Sequence, residues 1–167
     1  MEKENLTLKT AGGMFNYRVG AIIIHDNCVL MCKNQGSSYY YTIGGRVGFG
    51  ESAHEAVLRE VSEEIQIPLE IERLAYVNEV FFRMEEDTEN NLFHEICFFF
   101  LMKPDARLGE MKLENFNEDY GKVTLHWLPL VELKTPHLFP KFFKDELEVI
   151  ENNVKYFVTR DDITFQP

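Results

Sequence analysis

The chain of 167 residues is long enough to bury a sizeable core, and its 45% hydrophobic and 13% aromatic content supplies the material for one. Lys and Arg number 17 against 28 Asp and Glu, a net charge of -11. That balance argues against a nucleic-acid polymer as partner, since phosphate-backbone binding draws on dense basic charge. "EICFFFLM", Glu95 to Met102, is far short of the roughly 18 apolar residues of a membrane span, and "MEKENLTLKT" shows no basic-then-apolar leader pattern. A cytoplasmic protein without membrane contact is expected. Cys28, Cys32 and Cys97 form no CxxC pair and cannot all be bridged within one chain, which fits buried free thiols in a reducing compartment. No repeat, low-complexity run or linker divides residues 1–167, so one domain is expected.

In chain order, "FNYRVGAIIIHDNCVLMCKN" holds two β-rich runs, Phe15 to His25 and Cys28 to Lys33, and Asp26-Asn27 between them predicts a hairpin turn. "YYYTI" adds a strand, and the glycines that follow, Gly44, Gly45, Gly48 and Gly50, permit a tight loop whose backbone can approach a ligand closely. "SAHE" is a capping box with Ser52 as N-cap and Glu55 at the third helical position; it predicts a helix that ends near Ile65, ahead of Ile67-Pro68. "LEIERLAYVNEVFFRM" and "LFHEICFFFLMK" predict a long hairpin across the polar loop "RMEEDTENN", and "KVTLHWLPL" predicts a further strand. "KFFKDELEVIENN" has helical spacing, with Phe142, Phe143, Leu147 and Ile150 on its apolar side, and "KYFVT" predicts a closing strand. Two helices in a strand-rich chain suggest an α+β or mixed α/β layering.

The first helix carries an electrostatic puzzle. Projected at about 100° per residue, Val57, Leu58, Val61 and Ile65 fall on one arc, and Glu60, Glu63 and Glu64 on an adjacent one. Like charges three and four apart destabilise a helix by about 0.2–0.5 kcal/mol per pair. A solvated acidic face is the plain explanation. The other is a hard divalent cation such as Mg²⁺, which takes carboxylate and carbonyl oxygens and fills its remaining positions with water and substrate phosphates.

The whole string decides in favour of the second. Gly45 is followed by five residues and then Glu51; seven more lead to Arg59-Glu60; Val61 supplies an aliphatic; Glu63-Glu64 follow, and Ile67 closes the pattern. This resembles the Nudix box, G-x5-E-x7-R-E-U-x-E-E-x-G-U with U a bulky aliphatic, departing from it only where Gln66 stands for the last glycine. A glycine there commonly ends the helix in a left-handed conformation, so Gln66 must either reach that geometry or end the helix differently. Ile43 also stands where a proline often precedes the double glycine. The upstream hairpin, "WLPLVEL" around Trp127 and the late amphipathic segment fit the same family.

The resemblance implies a mixed β-sheet sandwiched between helices and a metal-dependent hydrolase acting on the diphosphate linkage of a nucleoside diphosphate joined to another moiety. It assigns Glu60, Glu63, Glu64 and the Gly45 carbonyl to Mg²⁺ or Mn²⁺, and Arg59 to pairing with Glu51 or Glu60. Glu60 is the first choice of general base. Glu118 or Asp119 in "NFNEDYG" is the choice from a loop outside the box, and Glu95 a further one. Phosphate contacts fall to Arg46, with Arg18 and Lys33 on the first hairpin. The implied partner is a phosphorylated small molecule, a nucleotide derivative, and a homodimer is compatible. A nucleotide-sensing or interaction module without turnover is the alternative from another class; the complete glutamate set favours the enzyme.

Overall fold

The computed structural model describes residues 4–83, 92–111, 113–117 and 121–161. Its strands are β1 (Thr7–Thr10), β2 (Gly13–Ile22), β3 (Ile24–His25), β4 (Cys28–Asn34), β5 (Tyr40–Thr42), β6 (Gly44–Arg46), β7 (Ile71–Arg83), β8 (Leu92–Met102), β9 (Glu114–Asn117), β10 (Gly121–Pro129), β11 (Leu138–Phe139) and β12 (Lys155–Arg160). Helix α1 spans Ala53–Ile65 and α2 spans Phe143–Glu146. The strands form two mixed sheets. One runs β1-β2-β8-β7-β12 with β6 also on β2; the other runs β11-β5-β4-β10-β9 with β3 on β4. Mixed sheets with few helices make this an α+β fold.

β2 organises the molecule. One edge pairs parallel with β8 along its whole length, while the other pairs first with β1 and then, beyond it, with β6. The second pairing sets Arg18 opposite Arg46 and Val19 opposite Gly45. Past Ile22 the chain crosses into the other sheet, where β3 and β4 close the expected hairpin; Asp26 (φ 48°) and Asn27 (φ 58°) adopt the double positive φ that a two-residue type I′ turn requires.

Two apolar clusters follow from the alternation of strand side chains. The first lies under α1, where Ala56, Val57, Val61 and Ile65 meet Val19, Ala21, Leu30, Cys32, Ile43 and Phe100. Burial of the larger aliphatics contributes about 1.5–3 kcal/mol each, well above the tenths lost to like charges on the helix surface. Leu58, on the apolar arc by projection, is exposed, because the buried face is narrower than that arc and centred on Val57 and Val61. The second cluster joins Ile22, Met31, Tyr76, Phe99, Leu138, Phe143 and Leu147.

The expected β7–β8 hairpin forms, with Arg83 opposite Leu92; residues 84–91 between them lie outside the described residues. The late amphipathic segment is helical for one turn only. Its apolar side chains are drawn into the second cluster, where Phe142 stacks on Phe157 of β12. The Glu146 and Glu151 carbonyls accept from the Tyr76 hydroxyl and the Arg73 guanidinium. Tertiary contacts there override helical spacing, and the chain turns to deliver β12 to β7.

Candidate functional site

The loop from β6 into α1 is built by glycines with distinct tasks. Gly44 has φ 145° and lies on β2 so closely that a Cβ would come within 2.2 Å of the Val19 carbonyl oxygen. At Gly45 a Cβ would come within 2.4 Å of Glu60 Oε1, so the absent side chain is what admits that carboxylate. Helix α1 then begins as predicted: the Glu55 N–H donates to the Ser52 hydroxyl at 3.2 Å, and the Ser52 N–H donates to Glu55 Oε2 at 2.8 Å. It ends on Gln66, which takes the left-handed conformation (φ 58°, ψ 22°) and donates its N–H to the Ser62 carbonyl. The usual helix ending is thus kept, at the steric cost a non-glycine residue carries there.

Arg59 ties the carboxylates together. Its guanidinium holds Glu51 through two bonds, Nε to Oε1 at 2.9 Å and Nη2 to Oε2 at 3.1 Å. Nη1 donates to Glu60 Oε1 at 2.7 Å and to Glu63 Oε2 at 3.1 Å, and Nη2 reaches the Arg46 carbonyl at 3.1 Å. Burial by itself would lower the Arg59 pKa; the hydrogen bonds to Glu51 and Glu60 outweigh it and raise the pKa above its ordinary value. Glu51 also accepts from the Gly48 N–H at 2.9 Å, which pins the loop to the helix.

Glu64 points inward. Its Oε1 accepts from the Gly44 N–H and its Oε2 from the buried Cys32 thiol, both at 3.2 Å. Burial, with a smaller contribution from Glu60, pushes its carboxyl up to about 7. Burial also raises Glu60, against the opposing pull of Arg59. Glu63 is the solvent-facing member of the three, with 58% of its side chain exposed.

These donors suit a hard divalent cation in kind: adjacent carboxylates, two of them desolvated, beside a glycine backbone. Among the described residues no three His, Cys, Asp or Glu side chains are already arranged as a cage; Arg59 Nη1 stands between Glu60 and Glu63, bonded to both.

Of the expected phosphate contacts, Arg18 and Arg46 are brought together as cross-strand partners on β2 and β6. Arg46 Nε is buried with no hydrogen-bond partner among the described residues. Arg18 Nη1 lies 3.7 Å from Glu95 Oε1, and its charge is felt at both Glu60 and Glu64. Lys33 follows Cys32 on β4 and so faces the opposite side; its ammonium sits 4.9 Å from the centre of the Tyr40 ring. Glu118 and Asp119 lie outside the described residues. Sequence reasoning missed the Cys32 thiol on Glu64 and the buried Asn16 beside Glu95; the strand parity of Cys32 was the one available signal for the first. A groove of about 710 Å³ is lined by Leu6, Phe15, Tyr17, Phe49, Ile96 and Phe98, on the face of β2 opposite Arg18.

A strand, a double-glycine loop and a helix with two glutamates held by one arginine make a scaffold that can present carboxylates beside a loop backbone. The NUDIX domain model matches residues 14–152, and the chain belongs to the Nudix family, as a hydrolase of the Nudix type. Such hydrolases generally use divalent metals and act on small molecules. Among solved structures, the chain is similar to a MutT NUDIX hydrolase from Burkholderia pseudomallei (25% identity, TM-score 0.58, covering 78% of this chain and 95% of that one). It is also similar to a UDP-X diphosphatase (19%, 0.55, 90% and 69%) and to an ADP-ribose pyrophosphatase from Streptococcus suis (13%, 0.51, 86% and 98%). No curated protein matches the sequence. No helix among the described residues is long and apolar enough to cross a membrane.

Proposed function

We propose that residues 1–167 form one Nudix domain that hydrolyses the diphosphate linkage of a nucleoside diphosphate joined to another moiety, with Mg²⁺ or Mn²⁺ bound by Glu60, Glu63, Glu64 and the Gly45 carbonyl. The observation that carries this reading is the Arg59 fork, which gathers Glu51, Glu60 and Glu63 on one side of α1 while Gly45 leaves room for Glu60. The assigned carboxylates and carbonyl would hold the cation, which when bound would supply positive charge to phosphate oxygens and lower the pKa of water. Arg59 and Glu51 are positioning residues that fix the rotamers of the others. Arg46 and Arg18 neutralise phosphate, and the unpaired buried Nε of Arg46 supports its part. Glu60 accepts the proton from water: it is the carboxylate that Gly45 admits beside the loop, and burial makes it a stronger base than an exposed glutamate. Lys33, turned to Tyr40, is left out of the phosphate contacts.

The test is a panel of nucleoside diphosphate derivatives, ADP-ribose and UDP-sugars among them, incubated with Mg²⁺ or Mn²⁺ and analysed by product mass. Glu63→Gln and Glu64→Gln are expected to abolish turnover and to lose Mn²⁺ binding by calorimetry while keeping the fold. Unchanged turnover in both variants would refute the metal assignment. Tight nucleotide binding with no product from any member would mark a sensing module instead.

A further inference from the structure

A row of polar side chains crosses the first sheet where apolar ones would pack. Thr7, Asn16 and Glu95 are consecutive register partners on β1, β2 and β8. The Thr7 hydroxyl donates to Asn16 Oδ1 at 2.8 Å, and Asn16 Nδ2 donates to Glu95 Oε1 at 2.7 Å. Asn16 is completely buried, and only 12% of the Glu95 side chain is exposed. A buried amide is costly unless both its ends are bonded, so the row is an all-or-none arrangement. Its outcome is one carboxylate oxygen fixed in place, and that same Oε1 faces Arg18 Nη1 at 3.7 Å.

We propose that Glu95 is a positioning residue, held through Asn16 and Thr7, that aims the Arg18 guanidinium at substrate phosphate beside the carboxylate helix. The inference rests on the reading of Arg18 as a phosphate contact. Arg18 needs such a restraint: it stands opposite Arg46, and like charges directly across a strand pair repel. Glu60 and Glu64 attract it as well, and its charge favours the ionised form of both carboxyls. Glu95 supplies the opposing carboxylate on the sheet side, 3.7 Å from Arg18 Nη1. The alternative role for Glu95, general base, fits the geometry less well, because its Oε1 already accepts from an amide and faces a guanidinium.

ADP titrated by calorimetry in Mg²⁺ into wild type, Arg18→Gln, Glu95→Gln and the double variant tests this. Arg18→Gln should weaken ADP by about tenfold or more, the value of one charge-assisted contact, and Glu95→Gln by about three- to tenfold. The double variant should bind no more than about twofold weaker than Arg18→Gln alone, since the second change acts only through the first. Thr7→Val, at the far end of the row, should weaken ADP by about two- to threefold and serves if Glu95→Gln does not fold. Fully additive losses, or wild-type binding by Glu95→Gln and Thr7→Val beside a weakened Arg18→Gln, would overturn the positioning role alone. Wild-type binding by Arg18→Gln, or no ADP binding by the parent protein, would overturn the phosphate reading and this inference with it.

Discussion

Gly45 lies against Glu60 with no room for a methyl group: a Cβ at position 45 would stand 2.4 Å from Oε1 and 2.5 Å from Cδ of the carboxylate. The atoms it would strike are the far end of a flexible side chain, so Gly45→Ala can be relieved by rotating Glu60 rather than by moving backbone. The consequence is a functional loss with little loss of stability. Metal-dependent turnover should fall by at least about a hundredfold, as expected when a reacting group is displaced by an ångström, while the thermal midpoint moves by only a few degrees. Steady-state rates and a melting curve on the same preparation check it, and wild-type turnover would contradict the contact.

Arg59 makes five hydrogen bonds with one planar group, two of them to Glu51, whose side chain is only 8% exposed. Lysine has a single point charge and cannot reproduce that fork. Arg59→Lys should therefore destabilise the domain by about 2–3 kcal/mol, since it strips a nearly buried carboxylate of its paired donors. Turnover should fall too, because Glu60 and Glu63 lose their common anchor. Urea denaturation reads the first effect, and a loss below about 0.5 kcal/mol, the size of an exposed pair, would show the network to be ornamental.

What was legible in the sequence was whatever is decided locally. "SAHE" specified both reciprocal bonds of the capping box, and Asp26-Asn27 specified a turn whose backbone requires their positive φ. The glutamate spacing told which residues share a helix face. It could not tell that Glu64 turns inward to Cys32 while Glu63 faces water, because that depends on β4 lying beneath the helix. Nor could helical spacing reveal that α2 stops after a turn, since Phe142 and Phe143 satisfy a helix and a packed aromatic cluster equally well. Lys33 looked like Arg18, a cation on the first hairpin; what separates them is the surroundings that the fold supplies, Arg46 and Glu95 around Arg18 and the Tyr40 ring beside Lys33.

Gln66 occupies a left-handed position at which glycine avoids the clash between Cβ and the carbonyl oxygen. Gln66→Gly should stabilise the domain by about 1 kcal/mol, raising the melting temperature by about 2–4 °C for a chain of this size. The gain is net of the extra freedom glycine has in the unfolded chain. Gln66 is exposed and its side chain is given no part in the site, so turnover should stay as it is. A melting temperature unchanged or lowered by calorimetry would mean that the glutamine side chain contributes contacts worth more than the strain.

Cys32 is fully buried in β4 and donates its thiol hydrogen to Glu64 Oε2 at 3.2 Å, while the Gly44 N–H takes Oε1. Together the two donors fix the rotamer of a carboxylate assigned to metal. Changes to groups that orient a ligand in this way commonly reduce metal affinity about 10- to 100-fold. Cys32→Ala removes the donor without adding bulk, so Mn²⁺ affinity by calorimetry should drop by at least about tenfold. Cys32→Ser keeps a donor and should stay within about threefold of the parent, because a hydroxyl makes the stronger bond but reaches less far. Volume alone cannot produce that order: alanine and serine are nearly the same size, and of the two only serine keeps a donor for Glu64. Equal affinity in the two variants would leave the Gly44 N–H as sufficient to hold Glu64.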